Sequence, residues 1–205
     1  MIIKQFVLGQ LENNVYLVMD EETKKAVLID ATMFSPEIEQ TIKNLGAKVE
    51  YILLTHGHFD HVMGVNDLKR ALKTEAVINK DDLAISDNVN EFTRLFGLPD
   101  SDIPQYDKFI KDGDIIQVGK MQIKVIHTPG HTEGGVCYLI EDKMFSGDTL
   151  FRESVGRTDL FGGSFAKLSN SIKNKLFQLD DNITVYPGHG PQTTIGHEKI
   201  YNQLV

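Results

Sequence analysis

The chain has 205 residues, 41% of them hydrophobic and 24% charged, and a formal net charge of −8. No lysine or arginine block interrupts that acidic balance, which argues against a nucleic-acid or anionic-membrane partner, since both favour a basic footprint. A single cysteine, Cys137, excludes an internal disulfide framework. No apolar run reaches the length of a membrane span, and Met1-Ile2-Ile3-Lys4-Gln5 lacks the apolar core of a signal peptide. One cytoplasmic domain spanning residues 1–205 is therefore expected.

In chain order, residues 2–8 and 14–19 read as strands joined through Leu11-Glu12-Asn13-Asn14, and 25–30 as a third. Ser35-Pro36-Glu37 opens a helix, with Ser as cap and Pro in the first turn. Ile38, Ile42 and Leu45 form its apolar face, and Gly46 ends it. Residues 49–54 form a buried strand, 62–73 a helix with Val65, Leu68 and Leu72 on one side, and 75–78 a short strand. A short helix is expected over 81–86. Beyond it, 87–105 carries Phe92, Leu95, Phe96 and Leu98 without a clean period, so a lid over a site and a short packed helix are both open readings. Strands return over 113–118, 121–126, 136–141 and 143–146, with Glu141-Asp142 a hairpin turn. A polar, glycine-rich passage over 147–164 precedes a helix over 164–179, a strand over 182–186 and a last helix over 194–204. Two runs of strands, each followed by helices, predict an α/β fold of two facing sheets covered by helices.

The chemistry concentrates at strand ends. Immediately after the apolar run at 49–54 comes Thr55-His56-Gly57-His58-Phe59-Asp60-His61, four metal-ligand side chains within six residues. His56 and His58 can converge on one ion past the strand end. Asp60 and His61, after the chain has turned into a helix, can face a second. Imidazole and carboxylate together suit zinc, iron or manganese. Three further candidates lie in glycine-containing loops: His131 in His127-Thr128-Pro129-Gly130-His131, Asp148 in Ser146-Gly147-Asp148, and His189 in Pro187-Gly188-His189-Gly190. Five histidines and two aspartates are enough for two divalent ions, with a carboxylate such as Asp148 able to bridge them. His127 reads as supporting a neighbouring ligand or packing, and His197 as surface. No Gly-x-Ser-x-Gly nucleophile context is present, so a covalent acyl-enzyme is not expected.

These four motifs, in this order, resemble those of the metallo-β-lactamase superfamily, and within it the small single-domain relatives of glyoxalase II (hydroxyacylglutathione hydrolase). The resemblance implies a four-layer αβ/βα sandwich. It also implies that His56, His58 and His131 hold one metal, that Asp60, His61 and His189 hold the other, and that Asp148 bridges them, with zinc the expected ion and iron or manganese the alternatives. By the same resemblance the activity is hydrolysis of a small-molecule thioester such as S-lactoylglutathione, with Asp60 also orienting the attacking hydroxide. No counterpart of the helical domain with which full-length glyoxalase II grips glutathione is expected in the short stretch 190–205 after His189. Gly156-Arg157-Thr158-Asp159 is similar to a segment of the mononuclear iron persulfide dioxygenases, the second reading. Val155 and Gly188-His189-Gly190 depart from that family's pattern and favour the hydrolase. A non-catalytic metal-binding protein is the third reading, disfavoured by the complete ligand set. Arg157 is a candidate for a substrate carboxylate, although pairing with Asp159 to hold its loop is the preferred role.

Overall fold

The computed structural model describes residues Met1–Val205. Its frame is a pair of six-stranded mixed sheets. The first runs in the order β1 (Ile2–Leu8), β2 (Asn13–Met19), β3 (Lys25–Ile29), β4 (Lys48–Leu53), β5 (Glu75–Asn79), β6 (Lys108–Ile110). It is antiparallel through β3 and parallel from there on. The second sheet includes β7 (Ile115–Val118), β8 (Met121–His127), β9 (Val136–Ile140) and β10 (Lys143–Gly147), and ends on β13 (Thr184–Pro187) and β14 (Thr193–Thr194).

The four layers follow from strand periodicity. Along β2, Val15, Leu17 and Met19 join the cluster beneath the helices, whereas Tyr16 and Val18 join the cluster between the sheets. Along β9, Val136, Tyr138 and Ile140 face the other sheet, while Cys137 faces Leu168 and Ile172 of the helix α6 (Phe165–Asn174). Successive side chains point to opposite faces, so a strand apolar at every position has to be covered on both sides. On the outer face of the first sheet lie α1 (Pro36–Leu45), the single turn α2 (Phe59–Val62) and α3 (Val65–Leu72). Helix α1 starts as read from the sequence: Ser35 Oγ accepts from the Glu37 N–H at 3.2 Å, and Gly46 closes it at φ +63°.

Several boundaries moved for tertiary reasons. The helix expected over 62–73 is two helices, α2 and α3, broken at Gly64. There the Gly64 N–H donates to the Ala31 carbonyl at 2.7 Å, and a Cβ would lie 2.6 Å from Met33 Cα, so packing against the 31–33 segment ends the first turn. The helix expected over 164–179 stops at Asn174 and continues as one 3-10 turn, Leu176–Gln178. The segment expected as one short helix over 81–86 is a 3-10 turn, Lys80–Asp82, followed by α4 (Leu83–Ser86). Strand β6 and the hairpin of β11 (Leu150–Phe151) with β12 (Ser154–Val155) were not anticipated. Each is two or three residues long and exists through its partner strand rather than its own pattern.

Two tyrosines cross between the sheets. Tyr138 of β9 donates to the Leu54 carbonyl at 2.6 Å, just past β4. Tyr16 of β2 donates to the Pro187 carbonyl at 2.7 Å, at the end of β13. Each carbonyl lies two residues before a predicted ligand, so the sheets mutually fix where their loops begin.

Candidate metal centre

All seven predicted ligand residues meet in one cluster. His56, His58 and His131 form one group, Asp60, His61 and His189 another, and His56, His61 and Asp148 a third between them. Within each group the ligand atoms lie within 4.8 Å of one another, close enough to hold a metal ion. His56 and His58 come from the loop after β4, and Asp60 and His61 from α2. His131 follows β8, Asp148 follows β10 and His189 follows β13. Gly188 permits the last approach, because a Cβ there would collide with Asp148 Oδ1 and stand 2.9 Å from His61 Cε1.

The ring nitrogens facing away from the cluster are mostly tied down. His131 Nδ1 donates to the Arg157 carbonyl at 2.7 Å, and His189 Nδ1 to the Leu11 carbonyl at 2.9 Å. His61 Nδ1 lies 2.8 Å from Asp30 Oδ2, and His56 Nδ1 3.0 Å from Thr55 Oγ1, whose own proton goes to Asp30. These partners assign the tautomers. His56 Nε2 and His131 Nε2 then face each other at 3.2 Å, with His58 Nδ1 2.8 Å from His131 Nε2. Burial and the neighbouring imidazoles push His56 well down and His58 to about 3, so these two do not relieve the crowding by taking a proton. Converging ring nitrogens are the geometry a cation requires. Two more buried atoms, His58 Nε2 and Asp148 Oδ1, have no hydrogen-bond partner.

At the second group, burial opposes a charged His61, but Asp30, Asp60 and Asp148 outweigh it and raise the ring to about 10. That is a strongly negative site, attractive to a proton or a metal cation alike. Burial likewise works to raise Asp60, yet the His61 charge and hydrogen bonds from His189 and Asn13 hold its carboxyl well below the usual range. Asp148 spans the groups, with Oδ1 3.4 Å from His61 Nε2 and Oδ2 3.6 Å from both His131 Nε2 and His189 Nε2.

Sequence reading missed three supporting residues. Asp30 ends the apolar run of β3 and accepts from Thr55 N and Oγ1 as well as from His61; an acid closing a buried parallel strand was the available signal. Asn13 donates to Asp60 Oδ2 at 2.8 Å. Asp82 is fully buried and accepts from Gly57 N, Thr132 Oγ1 and Gly134 N, joining the loop of His56 and His58 to that of His131. Nothing in the Asp81-Asp82 pair announces this. His127 supports a loop as read, its Nε2 2.7 Å from the Glu133 carbonyl. His197 is not plain surface: it is half-buried and pairs with Glu153 at 2.9 Å. The Arg157 guanidinium is held by both Asp159 oxygens at 2.7 and 2.8 Å. Cys137 is buried, and burial pushes its thiol up to about 11, consistent with a core residue.

A cleft of about 550 Å³ opens over the cluster, walled by Leu11, Phe92, Leu95, Phe96, Phe151 and Leu160. The 87–105 stretch serves both open readings: α5 (Val89–Leu95) buries Val89 and Thr93 and presents Phe92 and Leu95 to the cleft.

Residues 8–189 match the model of the metallo-beta-lactamase superfamily. The chain belongs to that superfamily of metal-dependent hydrolases. Among superfamily relatives, hydroxyacylglutathione hydrolase GloC of Haemophilus influenzae is 36% identical over 95% of this chain and 93% of its own length. BLEG-1, a B3 metallo-beta-lactamase, superposes with a TM-score of 0.91 at 33% identity, covering 98% of both chains. TTHA1623 in a di-iron-bound form gives 0.89 at 35%, covering 98% of this chain and 100% of that one. ETHE1 from Myxococcus xanthus gives 0.84 at 29%, covering 99% and 84%. No helix of this superfamily member is long and apolar enough to cross a membrane.

Proposed function

We propose that the protein is a dinuclear thioester hydrolase of the hydroxyacylglutathione hydrolase type, for which the convergence of seven ligand side chains, with His56 and His131 Nε2 facing each other at 3.2 Å, is the carrying observation. His56, His58 and His131 would hold one ion and Asp60, His61 and His189 the other, with Asp148 shared between them. The mixed imidazole and carboxylate donors suit zinc first, with iron or manganese as alternatives. Two such ions, when bound, supply a water acidic enough to attack at neutral pH and positive charge for the oxyanion that follows. In this reading Asp60, kept ionised within the cluster, would accept a hydrogen bond from the attacking water and set its placement. Asp30, Thr55 and the Arg157 carbonyl fix the ring orientations on which that placement depends. A thiolate leaves with little need of a proton donor, so the reaction asks for no dedicated general acid. The GloC relative supports this reading.

A mononuclear iron persulfide dioxygenase is the second reading, favoured by Gly156-Arg157-Thr158-Asp159 and the ETHE1 likeness. The complete second ligand group and Asp148 favour the hydrolase. Elemental analysis of the purified protein, combined with assays of S-lactoylglutathione hydrolysis and of oxygen uptake with glutathione persulfide, separates the two. About two ions per chain and hydrolysis are expected. A fully loaded protein that never exceeds one ion, or that consumes oxygen, would overturn the hydrolase reading.

A further inference from the structure

Beside the main cleft lies a second cavity of about 200 Å³, and the two share Leu11, Phe59, Asp60 and Phe96 as walls. Its own walls are Met33, Met63 and Leu98, with Gly9, Gln10, Asn13 and Thr32 as the polar and small residues. The partition is aromatic: the Phe59 and Phe96 rings stand 5.0 Å apart. Apolar side chains continue out to the rim, where Leu95 is 79% exposed, Phe96 45% and Met33 46%. Asp60 is the one charged residue lining this side cavity, and it faces the metal cluster.

We infer that this side cavity binds an apolar chain of the substrate, so that the preferred thioester carries an aliphatic acyl group or thiol rather than glutathione. The inference rests on the hydrolase reading above for the bond cleaved, but not for the binding. A glutathione moiety brings two carboxylates against one ammonium, a net negative charge. The cleft offers one permanent cation, Arg157, and Asp159 already holds it in a two-point pair. The chain's charge of −8 adds repulsion. An aliphatic chain meets neither cost and gains from leaving water in proportion to its length. Because Asp60 lines both cavities, a chain in the side cavity would begin beside the reacting carbon, and its binding energy could be used to orient that carbon.

The direct test measures n-alkanol binding, from butanol to octanol, by calorimetry on the metal-loaded protein. Affinity should rise roughly fourfold per added methylene, the fold-change that corresponds to the burial of one such group, with a negative heat-capacity change. Met33→Trp, which fills the cavity from its exposed side, should flatten that rise while circular dichroism stays that of the native fold. In parallel, kcat/KM for acyl thioesters of one short neutral thiol should climb with acyl length and exceed that for S-lactoylglutathione. Alkanol binding that rises with length while no thioester is hydrolysed would support the cavity and overturn the hydrolase reading instead. Affinity independent of chain length, a rise untouched in natively folded Met33→Trp, or a thousandfold preference for S-lactoylglutathione would overturn the inference.

Discussion

Asp148 and Asp82 show how different two acids can be at one site. Asp148 lies between the two ligand groups with one oxygen unpartnered, and the proposed function gives it a part in metal binding rather than in the fold. Asp148→Ala is expected to lower turnover at least roughly a hundredfold and to reduce bound metal, with far-UV circular dichroism unchanged. Near-normal rates would remove it from the bridging position. Asp82 touches no predicted ligand side chain, yet it ties two ligand loops together through three accepted hydrogen bonds. Burial raises its pKa, and the Thr132, Gly134 and Gly57 donors pull against that shift. Asp82→Asn places an amide N–H where an acceptor is needed. It should cost about 1–3 kcal/mol of stability and weaken metal affinity by roughly tenfold or more, read by denaturant titration and competition with a chelator. A variant that binds metal normally would show that the loops hold their positions without this tie.

The ligand loops are delivered by strand ends, and strand ends are positioned by what crosses between the sheets. Tyr138 and Tyr16 each use a hydroxyl to satisfy a carbonyl on the opposite sheet. Tyr138→Phe keeps the ring and deletes only that donor, leaving the buried Leu54 carbonyl without it. The expected loss is about 1–3 kcal/mol in unfolding free energy, with a smaller midpoint shift if a water takes the vacated position. Equal stability of the two proteins would mean that the strand end is set by the ladder bonds alone. At this scale periodicity was a good guide to long elements: β1 was read at its observed bounds, and α1 with its correct cap and stop. It failed at Gly64, where contact with 31–33 breaks a sequence that reads as one helix, and at strands of two or three residues, too short to carry a period.

For the whole molecule, Asp20 offers a test of how the two halves are joined. It lies just past β2, and its carboxylate accepts from Thr23 Oγ1, from the Lys120 N–H on the turn between β7 and β8, and from the Glu22 N–H. Those bonds, the Thr23 hydroxyl foremost, lower it from 3.8 to about 2. A carboxyl depressed on folding contributes stability that is present above its unfolded value and is lost as pH falls through the folded one, here from about pH 4 to about pH 2. Denaturation midpoints measured across that window should fall less steeply for Asp20→Asn than for the unsubstituted protein; parallel slopes would show that other carboxylates carry the acid sensitivity. The candidate ligand side chains that the structure brings together could be picked out in the chain itself, because a histidine-rich loop follows directly on an apolar strand, and so could the two sheets, because two runs of strands are each followed by helices. The roles of Asp30, Asn13 and Asp82 were decided only by tertiary structure. Their partners lie far along the chain, Asp82 and Gly134 being 52 residues apart and Asn13 and Asp60 47, and no local pattern records which distant hydrogen-bond donor a buried acceptor will meet. The aromatic cleft and its side cavity were decided in the same way, since Phe59, Phe92 and Phe96 become one wall only when α5 packs over α2.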